Sequence, residues 1–179
     1  FRFMTTQTVK PDVFYLWLAE EEFPNKEADL PTDLLHICRY FNVMIKWIKD
    51  NEYCHKRWYV YPSHYNDLVI SIDDDVFYDT KLIEQAQSMA SKYRSLIINC
   101  GDYLYPILSY DNSIQRVFLP PMPDIPSKTI QLCGQCIVLP HSFPLESIST
   151  DAIALRKHYC KKCDECWLTP YIVNSDTRI

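Results

Sequence analysis

The hydrophobic positions along the chain fall into two patterns that alternate. Short apolar runs rich in β-branched and aromatic residues, typical of buried strands, alternate with segments whose apolar residues recur at helical spacing. This alternation predicts an α/β protein with a single, mainly parallel sheet flanked by helices, Rossmann-like in architecture. The predicted strands cover residues 13–18, 43–48, 68–72, 95–99 and 129–139, and the predicted helices cover residues 32–40, 80–94, 151–159 and 165–173.

Two further segments lack a clear period. Residues 53–65 are basic and aromatic and are predicted to form a helix followed by a loop. Residues 101–126 are rich in Pro and Tyr and are predicted to be irregular, as a region that covers a substrate.

The third predicted strand ends in three consecutive carboxylates, Asp73, Asp74 and Asp75. Three like charges at the end of a buried strand repel one another, and a bound divalent cation would relieve that repulsion. Asp73 and Asp75 are two residues apart, so in an extended backbone their side chains share a face, whereas Asp74 points away. The pattern predicts a Mn²⁺ or Mg²⁺ site at Asp73 and Asp75. The alternative is a solvated loop between strand and helix.

Composition narrows the classes of function. A chain of 179 residues with 47% hydrophobic residues suits one domain over residues 1–179. The net charge of −5 argues against a nucleic-acid partner, and two glycines cannot form a glycine-rich phosphate loop. No apolar run reaches the length of a membrane span. The eight cysteines fit a reducing cytoplasm, with a lumenal location as the alternative.

Three stretches carry motifs that occur together in one enzyme family. Residues 10–19 read KPDVFYLWLA and are followed by EFP and LP, residues 70–78 read ISIDDDVFY, and residues 163–168 read CDECWL. A glycine-containing segment at residues 134–140 ends in VLP. Together these stretches resemble the GT-A-fold glycosyltransferases of family 2, which assemble bacterial polysaccharides.

This resemblance implies a function. The expected reaction is the metal-dependent transfer of a sugar from a nucleotide-diphosphate sugar to a hydroxyl of a carbohydrate acceptor, with inversion at the sugar carbon. The family begins with a strand that contacts the nucleotide base, ahead of the segment that corresponds to residues 7–12. The domain is therefore expected to be truncated at its N-terminus, and the first residue, Phe1, fits a segment of a longer chain.

The resemblance also assigns roles to the acidic residues. The triplet of Asp73, Asp74 and Asp75 is the expected cofactor-binding element, in which Asp75 with Asp73 holds the metal against the diphosphate, or Asp73 instead faces the ribose. Asp164 and Glu165 are the expected catalytic pair, with Glu165 at the position of the general base, where the family has a second Asp. Acids at the start of a helix also interact favourably with the helix dipole, which is the structural alternative for this pair.

Other interpretations stay open at this point. The stretch from His55 to Tyr59 could hold an acceptor sugar or a phosphate, or could be a helix face with core aromatics. Phosphatases of the haloacid-dehalogenase type also begin with an apolar strand and Asp-x-Asp, the first Asp being the nucleophile. A non-catalytic sugar-binding module is a third possibility. The cysteines are predicted to be mostly reduced and buried, although five of them also suggest a zinc site: Cys133, Cys136, Cys160, Cys163 and Cys166.

Overall fold

The computed structural model describes residues 2–74, 77–93, 97–99, 103–108, 114–119 and 135–174. In this part of the chain, helices and strands are mixed as the sequence predicts. The α-helices are α1 Arg2–Thr6, α2 Thr32–Tyr40, α3 Leu82–Lys92, α4 Thr150–Tyr159 and α5 Asp164–Val173, and 3-10 helices cover Lys26–Asp29, Tyr53–Ser63 and Leu145–Ile148. The strands are β1 Phe14–Ala19, β2 Val43–Ile48, β3 Val69–Ile72, β4 Ile97–Asn99, β5 Tyr103–Leu108, β6 Ile114–Leu119 and β7 Gln135–Val138.

A small parallel sheet is formed by β1 and β2, in register from Phe14 opposite Val43 to Ala19 opposite Ile48. Two parallel strands need a crossover connection, and here it contains α2, which contacts β2. This β1–α2–β2 unit is the part of the structure in which the predicted parallel arrangement is confirmed.

The prediction of a mainly parallel sheet is wrong for the other described strands. β7 lies between β3 and β4 and pairs antiparallel with both, so that Val69 and Ile97 each lie opposite Val138. β5 and β6 form a further antiparallel pair in a segment predicted to be irregular. Apolar runs such as Ile137–Val138–Leu139 indicate burial on both faces, but they carry no information on strand direction.

The two faces of β7 are buried in different hydrophobic clusters. Cys136 and Val138 pack with residues from the 3-10 helix Tyr53–Ser63 and from α5, whereas Ile137 and Leu139 pack with residues of α3. This alternation follows from the two-residue period of a strand. The 3-10 helix and α5 therefore cover the same face of β7. From the 3-10 helix, Arg57 contacts Asp73 after β3 and Trp58 contacts Asp164 at the start of α5.

Within the described residues, no helix has both the length and the apolar character needed to cross a membrane.

Candidate functional site

Asp73 lies directly after β3, and Tyr78 fixes its backbone. The Asp73 N–H donates a hydrogen bond to the Tyr78 hydroxyl at 2.7 Å, and the same hydroxyl donates to the Asp73 carbonyl oxygen at 3.2 Å. The Tyr78 hydroxyl therefore bonds both the N–H and the carbonyl oxygen of Asp73. Asp74 is exposed. Asp75 lies outside the described residues, so its predicted place beside Asp73 stays a prediction.

The segment that follows the acidic turn is braced by the N-terminal residues. Gln7 is buried, and its amide donates to the Asp79 carbonyl at 2.7 Å and accepts from the Ile83 N–H at 3.2 Å. The Phe3 ring meets the Tyr78 ring edge-on, with centroids 5.7 Å apart. Residues near the start of the chain thus hold Tyr78, Asp79 and the first turn of α3 in place.

Asp164 is the first residue of α5, and its side chain is only 5% exposed. The indole Nε1–H of Trp58 donates to Asp164 Oδ2 at 3.1 Å. Trp58 is itself buried in a stack with Tyr61 and Phe143, whose ring centroids lie 5.8 Å and 5.6 Å from that of Trp58. The position of this carboxylate is therefore set by the aromatic core.

Arg57 joins the two acidic positions. Its Nη2 donates to Asp73 Oδ1 at 2.8 Å, and its Nε lies 3.8 Å from Asp164 Oδ2. The Arg57 Nε also donates to the Cys54 carbonyl at 3.2 Å, which fixes the side chain within its own 3-10 helix. The Arg57 Nη1 atom is buried and has no hydrogen-bond partner among the described residues. Arg57 is thus one cation that contacts two carboxylates from distant parts of the chain.

The charges at this point shift one another's pKa values. Burial would lower the pKa of Arg57, but Asp164 and Asp73 outweigh that effect and raise it. Burial raises the pKa of Asp164 above the usual range of an aspartate, against the opposing attraction of Arg57, and the neighbouring Glu165 raises it further. Cys54 has its pKa raised to about 11 by burial and by Asp164. Ionised Asp164 is therefore destabilised by burial, and Arg57 reduces this destabilisation without cancelling it.

His55 is a second buried polar group beside this site. Its Nε2 lies 2.8 Å from the Cys160 carbonyl oxygen, which can only accept, so Nε2 carries the proton. Its Nδ1 is then an acceptor, and it has no partner within the described part of the chain. Burial lowers the pKa of His55, which favours the neutral ring. The contact ties the connection between α4 and α5 to the 3-10 helix.

Glu165 follows Asp164 and is partly exposed. The thiol of Cys163 donates to Glu165 Oε2 at 3.4 Å. Trp167, two residues further on, donates from Nε1 to the Ser147 carbonyl at 2.9 Å and anchors α5 to the 3-10 helix Leu145–Ile148. Of the predicted catalytic pair, Asp164 is therefore the buried member and Glu165 the accessible one.

The structure brings Asp73 and Asp164 to the same cation and places Glu165 next to Asp164. Sequence reasoning missed Arg57 and Trp58 as the residues that hold these acids. The signal was present in the basic and aromatic stretch from His55 to Tyr59. That stretch was predicted either to bind a ligand or to be a helix face with core aromatics. It matches neither fully, because His55 and Trp58 are buried while Arg57 is paired with acids.

The described residues include part of each predicted metal site. Among them, which do not include Asp75 or Cys133, no group of three or more His, Cys, Asp or Glu side chains is placed to hold a metal ion. The cysteines in this part of the chain are free thiols, and the prediction that most are buried is wrong there. Cys38 and Cys136 are buried, Cys54, Cys160 and Cys163 are partly exposed, and Cys166 is exposed.

No protein-family model, no curated protein and no solved structure matches this chain.

Proposed function

We propose that this protein is a metal-dependent glycosyltransferase with a GT-A-like arrangement, which transfers a sugar from a nucleotide-diphosphate sugar to a hydroxyl of a carbohydrate acceptor with inversion. The observation that carries the proposal is the contact of Arg57 with both Asp73 and Asp164. Such a reaction needs one acidic group on the side of the leaving diphosphate and another on the side of the acceptor. An acid that ends a strand and an acid that begins a distant helix meet here at one point.

The donor side of the site is Asp73 with the remainder of the acidic triplet. Carboxylate oxygens are hard ligands that suit Mn²⁺ or Mg²⁺, and the Asp73 side chain keeps 26% of its surface exposed while it pairs with Arg57. A divalent ion held by Asp73 and Asp75 would supply Lewis-acid stabilisation of the leaving diphosphate. Arg57 and Tyr78 hold Asp73 in one orientation before any ligand binds.

The acceptor side of the site divides two roles between neighbouring acids. Asp164 is buried and bound by Trp58, so its role is to hold the first turn of α5 against the 3-10 helix. Glu165 is partly exposed, and the general base must reach the acceptor hydroxyl within hydrogen-bond distance. We therefore assign proton abstraction to Glu165 and positioning to Asp164.

Nucleotide binding gives the first test of this proposal. Thermal shift with Mn²⁺ and a panel of nucleoside diphosphates is expected to raise the melting temperature for at least one nucleotide, and only when the metal is present. Asp75→Asn should abolish this shift without unfolding the protein, because it removes a ligand charge and also relieves repulsion within the triplet. Asp33→Asn, the same change at an exposed position on α2, is the matched control. A full nucleotide response in Asp75→Asn would refute the metal site.

Turnover gives the second test. Glu165→Gln keeps the shape of the side chain but cannot accept a proton, so transfer should fall by roughly 10²–10⁴-fold while nucleotide binding survives. Glu146→Gln, at a glutamate in the 3-10 helix that Trp167 binds, is the matched control. If Glu165→Gln keeps full activity, the base is elsewhere.

The same assays separate the two rival functions. Hydrolysis of a generic phosphate ester that depends on Asp73 would favour a phosphatase, although in this structure Asp73 is paired with Arg57. Sugar binding without turnover of any nucleotide-sugar would favour a non-catalytic module.

A further inference from the structure

The first turn of α5 contains two cysteines on either side of the acidic pair. Cys163 is the N-cap residue of the helix, and its Sγ accepts a hydrogen bond from the Cys166 N–H at 3.4 Å. A capping side chain and the residue three positions later lie on the same side of the first turn. Cys166 is exposed, so a reagent in solution can reach its thiol. The Cys163 sulfur therefore lies at the Cys166 backbone, the Cys166 side chain is close enough to raise the pKa of Cys163, and the Cys166 thiol is accessible.

The separation of the two residues suits a disulfide after a small adjustment. Side chains three residues apart in a helix have Cβ atoms about 5–6 Å apart. A disulfide needs about 3.5–4.5 Å between these atoms. Cys163 is the N-cap residue, with an extended backbone, so closing the bond draws this residue toward the first turn. The adjustment falls at a helix end, where the first backbone N–H groups have no partner within the helix.

We infer that Cys163 and Cys166 form a reversible dithiol–disulfide pair, a redox modification site that controls the geometry of Asp164 and Glu165. The oxidant is a low-molecular-weight disulfide of the glutathione type. The thiolate of Cys166 attacks one sulfur of this disulfide, its S–S bond breaks, and one thiolate leaves. The Cys163 sulfur then gives up its proton to solvent and attacks Cys166 Sγ, which releases the second thiolate. Two electrons pass from the protein to the reagent, and two small thiols are formed for one protein disulfide.

The surroundings of Cys163 give the pair a definite reactivity. Burial, together with the neighbouring Cys166 and Glu165, raises the pKa of Cys163 to about 12. The surroundings of a cysteine with a raised pKa do not stabilise its thiolate. They therefore lack the effect by which the surroundings of a low-pKa cysteine stabilise the reduced form. It also attacks slowly at neutral pH, so the exposed Cys166 is the entry point and ring closure by Cys163 is the slow step.

Oxidation has a direct consequence for Glu165. In the reduced protein the Cys163 S–H donates a hydrogen bond to Glu165 Oε2. A disulfide has no such proton, so Glu165 loses this donor at the same time as the turn tightens. The carboxylate of Asp164, held by Trp58, lies inside the segment that must move. Oxidation therefore changes the orientation of one acid and strains the anchor of the other.

Mass spectrometry of the whole protein tests the inference directly. The protein is equilibrated with mixtures of reduced and oxidised glutathione, quenched with acid, alkylated and digested. We expect a peptide in which Cys163 and Cys166 are joined, with the loss of two hydrogen atoms, and its full recovery as the dithiol on reduction. Cys160→Ser should still form the bond, since Cys160 is the rival partner three residues before Cys163. Cys166→Ser should not form it.

Two results would overturn the inference. One is a stable glutathione adduct on Cys166 that never closes to the internal disulfide. The other is a bond that joins Cys160 to Cys163 instead.

The effect on activity rests on the proposed function and is measured separately. Oxidation should lower sugar transfer by up to roughly 10²-fold in the unaltered protein, the loss that a displacement of about 1 Å can cause. It should leave Cys166→Ser unaffected. If the disulfide forms and no nucleotide-sugar is ever turned over, the proposed transferase function fails and the redox site stands. If transfer is found and the disulfide does not form, the redox site alone is wrong.

Discussion

The two acidic positions that meet at Arg57 are held in opposite ways. The Tyr78 hydroxyl fixes the Asp73 backbone, while the Asp73 side chain pairs with Arg57 and stays 26% exposed. Asp164 is fixed through its side chain, by the Trp58 indole, and is 5% exposed. Clamping the backbone leaves a carboxylate at the surface, where it can exchange partners. Clamping the side chain commits the carboxylate to the fold. This contrast separates an acid suited to ligand exchange from one suited to support.

The largest effect is expected when the shared cation is removed. Arg57→Ala leaves Asp73 and Asp164 without their common partner, and the Asp164 side chain is only 5% exposed. Breaking a buried pair by removal of one partner costs roughly 3–5 kcal/mol, and the partial exposure of Arg57 and Asp73 reduces this to roughly 2–4 kcal/mol. Urea unfolding measures the loss. Lys56 lies on the same 3-10 helix as Arg57 and pairs with Glu22. Lys56→Ala is therefore the control, and it should cost under about 1 kcal/mol. Equal losses would show that Arg57 does not join the two acids energetically.

The next largest difference in stability is expected between the two groups that fix the acids, the Trp58 indole and the Tyr78 hydroxyl. Trp58→Phe removes one hydrogen bond to a buried carboxylate, worth roughly 1.5–3 kcal/mol, and Tyr78→Phe removes hydroxyl contacts to a peptide group, worth roughly 0.5–1.5 kcal/mol. Unfolding measurements on both variants should preserve that order. In an Asp164→Asn background the cost of Trp58→Phe should shrink, because the charged acceptor is gone. The reverse order would mean that the Tyr78 bonds to the Asp73 backbone stabilise the protein more than the Trp58 bond to Asp164 does.

The smallest expected effect is a dependence on pH. Folding raises the pKa of Asp164, so protonation of this group favours the folded state. Its contribution to stability is therefore complete below the ordinary aspartate pKa of 3.8 and is lost as the pH rises through the raised value. The measurement compares the free energy of unfolding of the native protein with that of Asp164→Asn. The difference, native minus variant, should decrease as the pH rises through the raised pKa. Asp33→Asn, at an exposed site, is the control for the change in net charge. A difference that increases with pH would mean that Arg57 outweighs burial.

These contrasts also show what the sequence could and could not predict. The strands β1, β2 and β3 and the helix α3 follow from local apolar patterns, and the structure has them within a few residues of the predicted bounds. The direction of β7 does not follow, because a strand buried on both faces reads the same in either direction. The β5–β6 pair was hidden by the prolines and tyrosines that suggested irregular chain.

The site was predictable only in part for a similar reason. The position of each acid is visible in a local motif, at the end of an apolar run for Asp73 and at the start of a helix for Asp164. The difference in their burial depends on Trp58 and Arg57, which pair with them across long stretches of chain. Local pattern reports which residues carry charge, whereas the partner of each charge is decided by tertiary packing.

The central position of β7 also constrains the order in which the molecule can fold. β3 and β4 share no hydrogen-bonded edge and become parts of one sheet only when β7 enters between them. During synthesis the residues of both outer strands are made before residue 135, so their facing edges wait without their partner. Contacts of such long sequence separation slow folding. Insertion of β7 completes the sheet and supplies residues to both hydrophobic clusters, the first of which also needs Leu168 and Ile172 of α5.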